Sequence, residues 1–430
     1  MNTKLDMTQN TQPSMASGTQ ENIPNASAIG RTLPAEWIDY RDPISNRLIR
    51  QLTQSDAANY PLYYFIPSIT ADGRYLIFHS ERTGWVQLYR MDLQNGGITQ
   101  LTDGHTYDCG WARWCIYQLR GIYNHLSALN VVKDEVYYFQ DAEIYSTHVR
   151  TLHNRCVAQM PKGQISMGQT SFSPNGRWFA FIHTDRANFE RVVRDREALK
   201  FMRQPNAWGH FQSDTGNTTL SLINTDTGEY RKVITQPHHF HHVIWTDDST
   251  LLVNHPNIEC GMWTISINGT DYKHLRPRNH PDAHEAAICH QVVTQRGIFY
   301  EASSKDAKDT YLGHYDTKQH TFREFKLPLL NSYVHTGSDP KGNFLFIEQF
   351  QRDSKEHSIL SVHFPLDPKR TSLQNICTLR PYRDNGQREH AHPFLTPDRK
   401  WIVHVALAEN GFSQIRMVDV QDLVDLDEYF

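Results

Sequence analysis

Charge of one sign is not in excess. The 430 residues carry 43 Lys and Arg against 47 Asp and Glu, a net charge of -4. Bulk electrostatics therefore offers no general attraction to nucleic acid or to an acidic membrane surface. Long apolar runs are missing too; none approaches the roughly 20 residues a membrane-spanning helix needs. Cysteine is sparse: Cys109, Cys115, Cys156, Cys260, Cys289 and Cys377 are scattered, with no CxxC pair. That excludes a cysteine-based zinc site and suits reduced thiols better than a disulfide frame. Residues 1–35 are rich in Asn, Thr, Gln, Ser and Ala and lack the apolar core of a secretory signal. They read as a disordered tail ahead of a single folded domain over 36–430, and the expected location is the cytoplasm.

What is present is repetition. Ile66-Pro-Ser-Ile-Thr-Ala-Asp-Gly-Arg-Tyr-Leu-Ile-Phe-His79 is a strand, an Asp-Gly turn and a second strand. The pattern returns at Ser171-Phe-Ser-Pro-Asn-Gly-Arg-Trp-Phe-Ala-Phe-Ile182, at Val243–Val253, at Pro393–His404 and, more weakly, at His335–Ile347. Second halves follow, as in Gln87-Leu-Tyr-Arg-Met-Asp-Leu before Asn95-Gly-Gly and Ile98-Thr-Gln-Leu-Thr. Alternating strands joined by Gly and Asn turns are hairpins. Four strands per repeat of roughly 40 residues describe a propeller blade. The expected fold is an all-β, seven-bladed β-propeller with blades near 63–102, 127–161, 168–235, 241–277, 288–326, 333–380 and 390–422. Trp37–Thr53 resembles the last strand of a blade and is expected to complete the C-terminal one, closing the ring. Two segments break the repeat, the Trp/Tyr-rich 106–126 and the charged 186–209, and insertions of this kind commonly shape a cleft over one face.

Histidine is abundant. There are 24, nine of them between His238 and His290. The innermost strand of each blade lines the channel, so residues at its start converge from separate blades. Those starts read Phe240-His241-His242-Val243, Cys289-His290-Gln291, Val334-His335-Thr336 and His390-Ala391-His392-Pro393. His390 and His392, spaced i, i+2, would share one face of a strand. With Gln387 three residues earlier and His290 from another blade, they form a candidate site of three imidazoles and one amide oxygen. Such a set suits Mn²⁺ or another divalent metal; three imidazoles alone would also suit Zn²⁺.

These residues resemble the oligogalacturonate lyase family of polysaccharide lyases over about 38–425. The likeness is strongest at Asn59–Thr102, similar to the family's first blade, and at Gln387-Arg-Glu-His-Ala-His-Pro-Phe-Leu-Thr-Pro-Asp398, similar to its Gln-x-x-His-x-His-Pro metal motif. The resemblance implies that Gln387, His390, His392 and His290 bind a divalent ion, manganese in the family. It implies that His241 is the catalytic base, with His242 an adjacent alternative, and that His242 and His335 face the substrate. It also implies a cytoplasmic role in pectin degradation, acting on short oligogalacturonides. Thr219 stands where the family has a substrate-contacting arginine, and Cys289-His-Gln-Val replaces Thr-His-Glu-Phe-Trp. The exact uronate is therefore open. Arg186, Arg203 and Arg388 are candidates to hold substrate carboxylates.

β-Elimination needs a base for the proton α to the uronate carboxylate and positive charge beside that carboxylate. The histidine set supplies both, which favours a metal-dependent lyase. A propeller glycoside hydrolase would need paired carboxylates, and the blade starts offer few acids. A TolB-like binding propeller shares the Ser-Pro-Asp-Gly phrases but leaves the Gln387, His390, His392 and His290 set unexplained.

Overall fold

The computed structural model describes residues 27–105, 121–122, 126–191, 217–237, 240, 242–255, 261–277, 286–304, 309–327, 333–351, 356–367, 369–380 and 387–424. They form seven antiparallel sheets, each of four or five strands, in the order of the expected blades. The chain is a seven-bladed β-propeller.

The recurring turn has one chemistry. In blade one Thr70 Oγ1 and Arg74 N both donate to Asp72 Oδ1, at 2.7 and 3.1 Å, and Gly73 takes φ +74°. Blade three repeats it with Ser173, Arg177 and Asn175, and Gly176 at φ +69°. Blade seven repeats it with Thr396 and Asp398, where Arg399 occupies the left-handed position at φ +62°. A short polar side chain that caps its own turn, followed by a residue with positive φ, pins the hairpin register.

The ring closes as expected. Leu48–Gln51 pairs with Ser413–Asp419, placing Ile49 opposite Val418, and Ile38–Arg41 adds an outer fifth strand to blade seven. Thr32–Leu33, within the stretch read from sequence as tail, pairs with Ile98 and Thr99 and gives blade one a fifth strand. Apolar faces of neighbouring blades interlock: Leu76, Phe78 and Met91 of blade one meet Val403, Ile415 and Met417 of blade seven. Burying this apolar surface stabilises the ring by about 25 cal/mol per Å² removed from water.

Two departures shape the channel. The innermost strand of blade three is split into Gln164–Ser166 and Ser171–Phe172, both paired with Trp178–Asp185. In blade one the innermost strand stops at Pro61; Tyr63, Tyr64 and Phe65 then follow before Ile69 bridges to Leu76. The turn is closed by Ile66 N donating to Tyr63 O at 2.7 Å. Most of the 106–126 insertion lies outside the described residues. The 186–209 insertion starts as a helical turn over 186–191 and is described no further.

Candidate metal centre and active site

Blades five and six carry the same local device. In blade five the register jumps between Cys289, opposite Glu301, and Val292, opposite Phe299. In blade six it jumps between Val334, opposite Glu348, and Thr336, opposite Ile347. Each is a β-bulge, and each bulge holds a histidine in the left-handed region: His290 at φ +49° and His335 at φ +40°. An extra residue twists the strand and re-aims its side chain. Here the imidazole leaves the ladder and enters the channel. His392 is left-handed as well, at φ +43°. Non-glycine residues held in this region cost energy and cluster at functional sites.

The rings converge. His335 is central, with ring centroids 4.3 Å from His290, 4.9 Å from His390 and 4.2 Å from His392. His242, just before the blade-four strand Val243–Trp245, lies 5.8 Å from His290. Tyr63 packs at 4.9 Å against His392 and at 5.6 Å against His242, and Tyr64 at 5.7 Å against His290. His242, His335, His390 and His392 are all buried. Five of the sequence-derived histidines thus occupy one volume floored by aromatics.

The route by which His390 and His392 share a side differs from expectation. The strand of blade seven starts at Phe394, so neither histidine lies on a strand. Gln387–Glu389 forms a single 3-10 turn, and the left-handed His392 brings its ring back parallel to His390, 20° between planes and 5.9 Å apart. The irregular backbone between that turn and the strand, with His392 left-handed, pairs them, not strand alternation. The side chain of Gln387 and the whole of His241 lie outside the described residues, as does Arg203. Arg388 is engaged by Glu81 at 2.9 Å, and Thr219 hydrogen-bonds Thr235 across the outer strands of blade three.

Sequence reasoning missed the carboxylates. Glu301 pairs with His290 through Nδ1. Glu348, with no exposed side-chain surface, accepts from His335 Nδ1 at 2.8 Å and from His357 Nε2 at 3.0 Å, and lies 3.6 Å from His390 Nδ1. A signal existed: each acid stands opposite the residue that precedes a channel histidine, a relation visible only once the hairpin register is known. Tyr63 and Tyr64 were missed because the sequence pattern of blade one resumes after them.

Burial dominates the electrostatics. It pushes His335 down to about 3, helped by neighbouring His290 and opposed by Glu348. His242 falls well below the ordinary histidine range through burial and the proximity of His290. Burial also works on His290, but Cys289 and Glu301 outweigh it and hold that ring well above its usual range. Glu348 stays well below the glutamate range against its burial, because His390, His335 and His357 surround it.

These residues fit a divalent cation. His335, Glu348 and His390 bring donor atoms within 4.8 Å of one another. His335 Nε2 is buried and has no hydrogen-bond partner among the described residues. This geometric group differs from the sequence-derived set of His290, Gln387, His390 and His392, with His390 common to both. The carboxylate of Glu348 already accepts two N–H groups, so the imidazoles are the better lone-pair donors of the two sets. Fixing one ring nitrogen on a carboxylate while the other faces the ion is the usual second layer of histidine metal sites.

Fold and site define a seven-bladed propeller with a histidine-lined, metal-competent channel. Sequence and structure comparisons give that class a narrower likeness. No family model matches the chain. It is 21% identical to an oligogalacturonide lyase of Pectobacterium atrosepticum, across 92% of this chain and 99% of the relative. It is 21% identical to an oligogalacturonate lyase of Dickeya dadantii, across 58% and 60% of the two chains. Among solved structures, an oligogalacturonate lyase in complex with manganese superposes with a TM-score of 0.75 at 19% identity, covering 92% of this chain and 99% of that one. An oligogalacturonate lyase from Vibrio parahaemolyticus superposes with a TM-score of 0.73 at 16% identity, covering 91% and 99%. The resemblance read from the sequence motifs therefore extends over nearly the whole chain and its fold.

Proposed function

We propose that this protein is a carbon–oxygen lyase that cleaves short oligogalacturonides by β-elimination, with manganese as its metal. The observation that carries the reading is the meeting of His242, His290, His335, His390 and His392 in one buried volume, in a chain similar to such lyases over nearly its full length.

His290, His390, His392 and Gln387 would hold the metal. When bound it supplies positive charge beside the uronate carboxylate, where negative charge develops as the C5 proton leaves. His241 takes that proton on a neutral imidazole. The C5–H electron pair becomes the C4=C5 double bond, and the C4–O bond breaks with its pair passing to the glycosidic oxygen. Proton uptake by that oxygen completes the step. His242 and His335 line the substrate side, and burial keeps both below the ordinary histidine range. Tyr63 and Tyr64 pack edge to face, 5.0 Å between ring centroids, beside these histidines.

Localisation to the cytoplasm is part of this reading. Among the described cysteines, Cys156, Cys289 and Cys377 form no disulfides, which suits a reducing compartment. No described helix is long and apolar enough to cross a membrane.

The test follows the ultraviolet absorbance of the unsaturated product from digalacturonate with Mn²⁺, with a chelator, and with His241→Ala. A metal-dependent rise lost in the variant is the expected result. A rise with a different uronate oligomer would move the substrate and keep the chemistry. Silence with every uronate, in protein that binds Mn²⁺, would replace the lyase by a binding propeller.

A further inference from the structure

The blade-five device and the blade-six device are the same object built twice. Each consists of a bulged, left-handed histidine on the innermost strand and a glutamate on the next strand, opposite the residue just before it. In each the carboxylate takes the histidine Nδ1, at 2.8 Å in blade six. An imidazole held this way can present only Nε2 to the channel. In the metal reading above, His290 is a ligand and His335 a substrate contact. The geometry does not separate them.

We infer that His335 is itself a metal donor through Nε2, and that Glu348 is its positioning residue as Glu301 is for His290. This rests on the metal-site reading and adds a fourth imidazole to it. Three observations support the assignment. His335 Nε2 is buried and has no hydrogen-bond partner among the described residues, a costly state for a polar atom unless something binds it. Its ring is the nearest histidine to His290, His390 and His392, closer to His290 and His392 than His390 and His392 are to each other. Glu348 is anchored from behind, because His357 spans it and the carbonyl of Arg380, at 3.0 and 2.9 Å. A carboxylate pinned on both sides fixes the ring it holds, so His335 meets the ion without first ordering itself.

The experiment measures Mn²⁺ affinity of the full chain by calorimetry after chelator treatment, for the wild type, His335→Ala, Glu348→Leu, Glu348→Gln and His390→Ala. His335→Ala and Glu348→Leu are expected to weaken binding by about 10–100-fold, the range seen when such supporting groups are lost. Glu348→Gln keeps a carbonyl oxygen to accept the Nδ1 proton and is expected to recover most of the affinity. Wild-type affinity in a folded His335→Ala, with binding lost in His390→Ala, would overturn this inference and leave the metal site standing. Unchanged binding in both would remove the metal site itself, and the inference with it. Should the buried substitutions not fold, pulsed EPR of the wild-type Mn²⁺ complex decides. Coordination by four imidazoles supports the assignment, and three or fewer overturns it.

Discussion

Acid should destabilise this ring before its carboxylates are titrated, through buried histidines on the second strands of their blades. His79 is buried in blade one, stacked on Tyr60 and bonded to Ser127 Oγ at 3.1 Å, and burial pushes it down to about 3. The unfolded chain binds its proton near pH 6.5; the folded chain resists until about 3. Stability from this group is therefore complete above pH 6.5 and is lost as pH falls through the window between those values. Each pH unit inside the window costs about 1.4 kcal/mol, so moving from pH 7 to pH 5 removes about 2 kcal/mol for one residue. That is a large share of a typical 5–15 kcal/mol total. Urea denaturation of the wild type and of His79→Gln at both pH values isolates the effect, because every other titrating group is common to the two proteins. The stability gap between them should narrow by about 2 kcal/mol on acidification. A gap that stays constant would show that His79 is protonated in the folded protein or exposed to water, and would refute the burial argument. His404, also pushed to about 3 by burial, should behave in the same direction.

Other expectations are independent of that one. Arg276 and Glu324 form an ion pair with no exposed side-chain surface, and Tyr300 donates to the same carboxylate at 2.9 Å. Glu324→Leu strands a buried guanidinium and should cost about 3–5 kcal/mol, while adding Arg276→Met should recover most of the loss; chemical denaturation reads both. Gly337 lies two residues after His335, and a Cβ there would fall 1.8 Å from the Phe346 ring. Gly337→Ala should destabilise by at least about 1–3 kcal/mol and weaken Mn²⁺ binding, since the strand that moves is the one carrying His335. Removal of metal with a chelator should abolish turnover of digalacturonate and leave the far-ultraviolet circular dichroism unchanged, because the blade seams and not the channel hold the ring. Loss of β signal on chelation would make the metal a structural one.

The blades were legible because their turns are local. Thr70-Ala-Asp-Gly73 and Ser173-Pro-Asn-Gly176 encode a capped turn and its left-handed residue within four positions, so reading along the chain recovers them. Ring closure by Leu48–Gln51 was also readable, since that segment copies the last strand of a blade. The convergence of His242, His290, His335, His390 and His392 followed from the architecture once blade starts were aligned. What could not be read was how each imidazole is aimed. Strand alternation was the wrong rule for His390 and His392, which lie between a 3-10 turn and the start of their strand.

The bulges explain why that information was hidden. A bulge shifts register by one residue, and whether Val334 or His335 stands opposite Glu348 depends on a pairing that periodicity does not specify. Without the register, Glu301 and Glu348 look like strand residues of no particular interest. With it, both fall behind a channel histidine. The same argument accounts for Tyr63 and Tyr64. They occupy a break in the innermost strand of blade one, where the repeat resumes at Ile69 as though nothing had been inserted. In this propeller the repeat carries the scaffold, and the lapses in blades five and six carry the channel histidines His290 and His335. The lapses are short enough, one residue in blades five and six, that hydrophobic patterning passes over them. The fold tolerates them on the innermost strands because the channel side of those strands needs no sheet partner, so a strand can bend inward there without unpairing a neighbour.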